Sequence, residues 1–236
     1  LMPDADYNNI NAINALPTLG GLAHLSAKEV GRAMQGGSAS YKINVGTLTE
    51  TFTGTCRPDD AEQLLQLLHL RFTTMRQDTA AFTRWQERMR QTVEQRIESP
   101  MTLFSDTLRE TMYAPHPRSR RASMALADSV DYNRTCQLFM ERFANAADFT
   151  FIFVGKVDID ALRPLISRYI ASLPSNPKKK EQANLAALPS LKHGKHVTHI
   201  QIPEAGESTT VIYNILAQQR YTQRSSIACS DRNIEI

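Results

Sequence analysis

The spacing of apolar residues changes along the chain, and each spacing predicts a different kind of element. Apolar side chains recur every three or four positions, the period of a helix, in residues 4–16, 26–36, 58–72, 79–97, 100–112 and 132–146. Between Ser38 and Cys56 the period falls to two, which predicts two strands with Gly46 between them. The pattern therefore predicts a chain of helices interrupted by one β-hairpin.

Residues 149–174, FTFIFVGKVDIDALRPLISRYIASLP, carry the clearest single pattern. The apolar run before Gly155 predicts a buried strand, and Asp158 supplies an N-cap for a helix that follows. One face of that helix holds six apolar residues at helical spacing, namely Leu162, Leu165, Ile166, Tyr169, Ile170 and Leu173. We expect this strand and helix to form the hydrophobic centre of an α/β layer.

The order of the elements predicts an α+β fold. We expect a two-layer α/β sandwich, with a mixed, mostly antiparallel sheet and helices packed mainly on one face. A polar segment after Pro174 separates this unit from two further predicted strands, His196–Ile202 and Ser208–Leu216. The predicted organisation is a domain at 1–185, followed at 186–236 by a linker and the first strands of an incomplete repeat.

Composition and charge exclude few classes of function. Apolar residues make up 42% of the chain and charged residues 22%, as in ordinary globular proteins. The net charge of +3 does not by itself indicate a nucleic-acid or membrane partner. The first residues lack the pattern of a signal peptide. Cys56, Cys136 and Cys229 lie too far apart to form a metal-type pair and are interpreted as free thiols.

The histidines do not form a recognisable metal site. His193, His196 and His199 are three apart, and in a strand His196 and His199 would point to opposite faces. His24 resembles the start of the inverted zinc motif H-x-x-E-H, but Ala27 and Lys28 stand where glutamate and histidine are required. His69 and His116 have no acidic or histidine neighbours at useful spacing. A zinc site is therefore not predicted.

Other catalytic patterns are also missing from the sequence. It contains no phosphate-binding glycine motif and no local signature of a serine or cysteine nucleophile. The basic clusters Arg118–Arg121 and Lys178–Lys180 lie beside prolines without interleaved aromatic residues, so we expect solvated loops rather than a nucleic-acid surface. The residues alone indicate a segment that does not catalyse.

Three stretches, taken in order, resemble the pitrilysin/insulysin family of inverted zinc metallopeptidases. Phe149–Pro174 is similar to that family's V-G-x-V-D-x-x-x-L-x-x-L-I-x-x-Y-x-x-x-L-P ending. Glu94–Pro100 with the helix behind it is similar to a segment that contains a glutamate and then P-x-x-x-F-x-x-x-L. Gly54–Phe72 is similar to a strand-to-helix passage of large bacterial single-chain members. The resemblance covers residues 1–185 as one repeat of the family fold and the last strands as the start of the next.

In that family two homologous halves enclose a chamber, and only the first half carries the zinc motif. The resemblance places the three motif positions on or near Asn11, Asn14 and Ala15, which cannot replace histidine as zinc ligands, and places Glu94 near the downstream glutamate. It therefore implies the inactive third domain. No catalytic and no metal-binding residue is predicted here, and no substrate-binding residue is assigned.

The resemblance implies a non-catalytic, chamber-forming segment of a zinc metalloendopeptidase that degrades peptides or small proteins. Zinc would be bound by the parent enzyme outside this segment. The expected partners are the catalytic half of the same parent chain and a peptide substrate, with no nucleic acid and no membrane, and with self-association of the fragment as an option. The expected compartment is the periplasm. The alternative is a purely structural or binding homologue whose parent chain has no protease activity.

Overall fold

A computed structural model describes residues 2–97, 99–121, 123–179, 188–194 and 196–198. Two strands are assigned, β1 (Ser40–Val45) and β2 (Glu50–Thr55). The α-helices are α1 (Ile10–Leu19), α2 (Ala27–Ala33), α3 (Ala61–Thr73), α4 (Thr79–Ile97), α5 (Pro100–Met112), α6 (Met124–Asp128), α7 (Tyr132–Phe143) and α8 (Ile159–Tyr169). Short 3₁₀ turns lie at Asp4–Asn9, Pro58–Asp60, Pro117–Ser119, Ala146–Asp148 and Pro177–Lys179.

Local sequence signals explain where most helices begin. Ser26 and Glu29 form the predicted capping box at the start of α2. Pro100 occupies the first position of α5, where its missing N–H costs nothing. The Asp158 carboxylate accepts hydrogen bonds from the Asp160 and Ala161 amides and so caps α8. The predicted helices are confirmed, except that Asp4–Asn9 forms a 3₁₀ turn ahead of α1 and that α7 ends at Phe143 rather than near 146.

The predicted hairpin is confirmed. Its two strands make up the one sheet found among the described residues. β1 and β2 run antiparallel, with Ser40 opposite Thr55 and Val45 opposite Glu50. Gly54 in β2 faces α3 so closely that a Cβ atom there would lie 2.6 Å from a methyl carbon of Leu64. This close approach packs α3 directly onto the hairpin.

The main hydrophobic core joins the hairpin to helices α1, α3 and α7. The largest fully buried side chains are those of Phe139, Phe143, Ile13, Leu138 and Val45. Phe72 of α3 meets the Phe143 ring edge-on, with ring centres 5.2 Å apart, and such aromatic pairs add to the free energy gained by burial. The predicted apolar faces of α1 and α3 therefore both point into this core.

A buried arginine links three elements of the same region. Arg71, on the apolar face of α3, is 5% exposed. Its guanidinium donates hydrogen bonds to the Gly21 and Pro17 carbonyl oxygens, at 2.7 and 2.6 Å, and to the Tyr41 hydroxyl at 2.7 Å. A buried charge is tolerated when its donors are satisfied in this way. Arg71 thus ties the end of α1 and the turn after it to β1.

The strand predicted at residues 149–154 is not formed. Phe149 and Phe151 pack against the core, but Ile152 is 78% and Val154 is 91% exposed. No described residue forms a backbone ladder with this segment. The prediction was wrong for the described chain because an apolar, β-branched run becomes a strand only when a neighbouring strand pairs with its backbone groups.

Helix α8 is formed as predicted, but its apolar face is only partly buried. Leu173, just beyond the helix, is buried in the main core, and Ile170 packs against that core. Leu165 is half-buried and lies outside the main cluster. The expectation that Leu165 is a core residue was therefore wrong.

The chain divides into two compact units, residues 1–200 and 201–236, and every described residue belongs to the first. Residues 196–198 do not form a strand, and the remainder of the two predicted C-terminal strands lies outside the described residues. The predicted boundary at residue 185 stays a prediction. Among the described helices, none is both long and apolar enough to cross a membrane.

Candidate functional site

The three positions that correspond to a zinc motif lie on α1. Asn11 is exposed, while Asn14 and Ala15 are half-buried. Their neighbours Ala12, Ile13 and Leu16 are buried and turn the apolar face of α1 into the core. At these three positions the helix carries two amides and a methyl group, whereas zinc chemistry needs imidazoles and a carboxylate.

The side-chain amide of Asn14 forms two hydrogen bonds with the backbone of Val45. Its side-chain NH₂ donates to the Val45 carbonyl oxygen at 3.0 Å, and its side-chain oxygen accepts from the Val45 N–H at 2.7 Å. Both backbone groups of one strand residue point to the same side, so Asn14 covers the end of β1 on the side away from β2. The amide thus closes a strand edge.

Glu94, near the family's downstream glutamate position, is exposed on the outer part of α4. The nearest buried residue on its helix is Val93. A single exposed carboxylate without companion histidines does not form a metal site. That Glu94 has no partner ligands in this segment stays a prediction.

The described histidines are dispersed. His24 is exposed, and a ring nitrogen of His69 lies 2.9 Å from the Tyr169 carbonyl oxygen. A ring nitrogen of His196 lies 3.0 Å from the His193 carbonyl oxygen, and His199 lies outside the described residues. Across the described ranges, no group of three histidine, cysteine, aspartate or glutamate side chains is close enough to hold a metal ion.

The cysteines described by the structure are free thiols in a nonreactive setting. Cys136 is buried and Cys56 is half-buried. Burial raises the pKa of both thiols, which disfavours the thiolate that a nucleophile requires. The prediction of free thiols is confirmed for these two residues, and Cys229 lies outside the described residues.

In the basic cluster 118–121, Arg120 and Arg121 are exposed as the sequence suggests, but the Arg118 side chain is buried. The Arg118 side chain is 3% exposed and donates to the Asp4 carboxylate at 2.6 Å. It also donates to the Met2 carbonyl oxygen and lies over the Tyr7 ring, with 5.1 Å from its central carbon to the ring centre. Arg121 pairs with Glu110. The expectation was wrong for Arg118 because its partners lie more than a hundred residues away in sequence, where no local pattern reveals them.

Two of the structurally important residues carried a weak signal in the sequence. Arg71 falls on the apolar stripe of α3, one turn from Leu67 and Leu68, and a charge at such a position indicates a buried, paired group. Asn14 lies next to the buried Ile13 on α1. For Asn14 the sequence alone gives no indication of its partner on β1.

Comparison with known proteins finds one family model and several relatives that are similar to parts of this chain. The model of the Peptidase M16 inactive domain matches residues 137–230. A relative named "Probable zinc protease PqqL", from Haemophilus influenzae, is 23% identical over 179 residues, which cover 74% of this chain and 19% of the relative. The protein of the same name from Escherichia coli is 23% identical over 212 residues, covering 88% of this chain and 21% of the relative. This chain therefore spans about a fifth of the length of these relatives.

The fold is also similar to part of a solved structure. The crystal structure of the periplasmic protease PqqL from Escherichia coli superposes with a TM-score of 0.67 at 22% identity, covering 82% of this chain and 21% of that chain. The family is the one that the sequence motifs resemble, so that prediction is confirmed. Part of this chain therefore matches the inactive domain of M16 peptidases, and most of the chain is similar to a segment of PqqL-type zinc proteases.

Proposed function

We propose that this chain is the non-catalytic third-domain segment of a PqqL-type zinc metalloendopeptidase and forms part of the wall of its substrate chamber. The observation that carries the proposal is the match of residues 137–230 to the inactive domain of M16 peptidases. The chemistry of α1 agrees with it, since Asn14 uses its amide to hold β1 and offers no ligand to a metal.

The unpaired segment at 149–154 supports the sandwich architecture in the whole protein. Phe149 and Phe151 anchor the segment in the core, while its backbone N–H and C=O groups lack strand partners among the described residues. Buried sheets in proteins satisfy such groups by pairing. Strands from elsewhere in the parent would pair here, complete the mostly antiparallel sheet and cover Ile152 and Val154.

The remaining parts of the activity follow from this assignment. The catalytic half of the parent supplies the zinc ion and the general base, and this segment supplies a packed surface that encloses peptides or small proteins. The relatives are named zinc proteases, and the similar solved structure is named periplasmic. We extend both the activity and the periplasmic location to the parent of this chain.

The experiment compares the 236-residue chain with the parent protein. We expect no stoichiometric zinc in the purified, dialysed chain by elemental analysis, and no cleavage of a fluorescently labelled casein. The parent should bind zinc and cleave casein, and a chelator should abolish the cleavage. A parent that neither binds zinc nor cleaves casein would instead favour a structural or binding homologue. One tightly held zinc per 236-residue chain would overturn the inactive assignment.

A further inference from the structure

A cavity of about 280 Å³ lies between the first helical turns of the chain and helices α4, α5 and α6. It is separate from the Asn14 contact with β1, because of the three α1 motif positions only Asn11 lines it. A cavity of this size corresponds to the lower end of the range for small-molecule sites.

One wall of the cavity is apolar. Trp85, Met89 and Val93 follow one another along α4 and face Ile10 of α1 and Leu126 of α6. Flat aromatic and flexible thioether side chains suit an apolar body of irregular shape. The cavity therefore offers a hydrophobic surface to whatever enters it.

The charged residues around the cavity are mostly of one sign. Arg96, Arg109, Arg118 and Arg120 line it, against the single carboxylate of Asp106. Asp106 pairs with Arg109 at 3.3 Å. Arg96 and Arg120 form no ion pair with any carboxylate that the structure describes. The local field favours an anion.

One of these arginines has an unused donor in the interior. Arg118 donates a hydrogen bond from Nε to the Asp4 carboxylate and another from Nη2 to the Met2 carbonyl oxygen. Its buried Nη1 has no hydrogen-bond partner among the described residues. A buried donor of a charged group without a partner costs free energy. Arg118 also lines the cavity, so its positive charge attracts an anion bound there.

We propose that this cavity binds an organic carboxylate that carries an apolar body. The apolar body lies against Trp85, Met89 and Val93, and the carboxylate is held by Arg118 with Arg96 and Arg120 at the rim. Guanidinium groups are the side chains best suited to bind a carboxylate through two parallel hydrogen bonds. This proposal does not depend on the proposed peptidase role. If the cavity binds no carboxylate, the proposed peptidase role is unaffected.

Trp85 gives a direct measurement, because it is the single tryptophan of the chain and lines the cavity. Phenylbutyrate is titrated into the 236-residue chain while the Trp85 emission is recorded, and phenylbutanol serves as the neutral probe of nearly the same shape. We expect a saturable change with phenylbutyrate and binding about tenfold weaker, or more, with the alcohol. The same titration is repeated with a peptide that ends in phenylalanine, once with a free and once with an amidated C-terminus. Stronger binding of the free terminus would show that the site also accepts a peptide carboxylate, and not only a free small acid.

Variants locate the carboxylate. Arg96→Gln and Arg120→Gln should each weaken phenylbutyrate binding about tenfold, the effect of losing one charged hydrogen bond. Arg88→Gln is the matched control, since Arg88 is exposed on the same helix and does not line the cavity. Equal melting temperatures of all variants exclude unfolding as the cause. The proposal is overturned by unchanged Trp85 emission, by equal binding of acid and alcohol, or by both rim variants binding as the control does.

Discussion

The β1–β2 hairpin and the extended segment 149–154 have similar compositions and different structures. Both are rich in β-branched and aromatic residues. In the hairpin every strand residue has a partner across the ladder, and Asn14 and Arg71 hold it from outside. The segment 149–154 keeps two phenylalanines in the core but has no ladder among the described residues.

The difference shows that burial and pairing are separate requirements. Two aromatic rings are enough to fix where 149–154 runs, since Phe149 contacts Phe72 with ring centres 4.9 Å apart. They do not satisfy its backbone, which requires another strand. Substitutions should therefore lower the free energy of unfolding most around the hairpin, where packing and polar contacts coincide. They should change it little at the exposed positions of 149–154, whose backbone has no ladder among the described residues.

The largest effect is expected at Arg71. Arg71→Ala leaves the Pro17 and Gly21 carbonyl oxygens and the Tyr41 hydroxyl without their donor, so we expect a loss of about 3–5 kcal/mol in the free energy of unfolding. Urea unfolding of the 236-residue chain measures it. Arg57→Ala, at an exposed arginine, is the control. Equal stability of the two variants would show that the buried network does not anchor the hairpin.

Leu173 and Leu165 test where the core ends beneath the extended segment. Leu173→Ala should cost about 2–5 kcal/mol, because the side chain is fully packed. Leu165→Ala should cost about 1 kcal/mol, since only part of its surface is buried. Thermal melts of both variants compare them directly. A larger loss for Leu165→Ala than for Leu173→Ala would show that Leu165 is a core residue.

Asn14→Ala removes two hydrogen bonds from Val45 at the edge of β1. We expect a loss of about 1–3 kcal/mol, the cost of leaving partly buried backbone groups unpaired. Asn11→Ala, at the exposed neighbour one turn earlier, should change the stability by less than about 0.5 kcal/mol. Urea unfolding of both variants is the measurement, and equal losses would mean that the contact with β1 contributes nothing.

A smaller, pH-dependent effect is expected at Asp60, which ties the entry to β1 to the start of α3. The Ser38 hydroxyl and amide, together with Arg57, lower the pKa of Asp60. Because the folded pKa is depressed, this stabilisation is present above the unfolded value of about 3.9 and is lost as the pH falls through the folded pKa.

The stability difference between the wild-type chain and Asp60→Asn should therefore shrink as the pH falls from about 5 to about 3. Asp59→Asn, at the exposed neighbouring carboxylate, is the control and should show no such trend. Melting temperatures across this pH range provide the measurement. A difference that stays constant with pH would refute the assignment of Asp60.

The smallest effect on stability is expected in the segment 149–154, which has no ladder among the described residues. Ile152→Thr combined with Val154→Thr should change the stability of the 236-residue chain by less than about 0.5 kcal/mol, because both side chains are exposed. The same changes in the parent should cost more if strands from elsewhere cover them. A large loss already in the 236-residue chain would show that 149–154 is paired and packed.

The sequence was sufficient for features that depend on neighbouring residues. The starts of α2, α5 and α8 follow from Ser26, Pro100 and Asp158, whose effects act within one helical turn. Helix α6 was missed, although Ser123 caps it by accepting from the Leu126 N–H. Its five residues are too few to show a helical period.

Features that depend on distant residues could not be predicted in this way. The partners of Arg71 lie 30 to 54 residues away, and those of Arg118 lie 114 to 116 residues away. Charge and composition give no indication of which pairs meet. The absence of a metal site, in contrast, is a prediction from the missing ligand types, which can be read from the sequence without knowing which residues meet.

The contact between Asn14 and Val45 has a consequence for substitutions at position 14. A glutamate at position 14 would lack the NH₂ that now donates to the Val45 carbonyl oxygen and would bring a second acceptor toward it. A single substitution toward the zinc motif at position 14 would therefore cost fold stability without creating a metal site, because zinc needs several ligands at once.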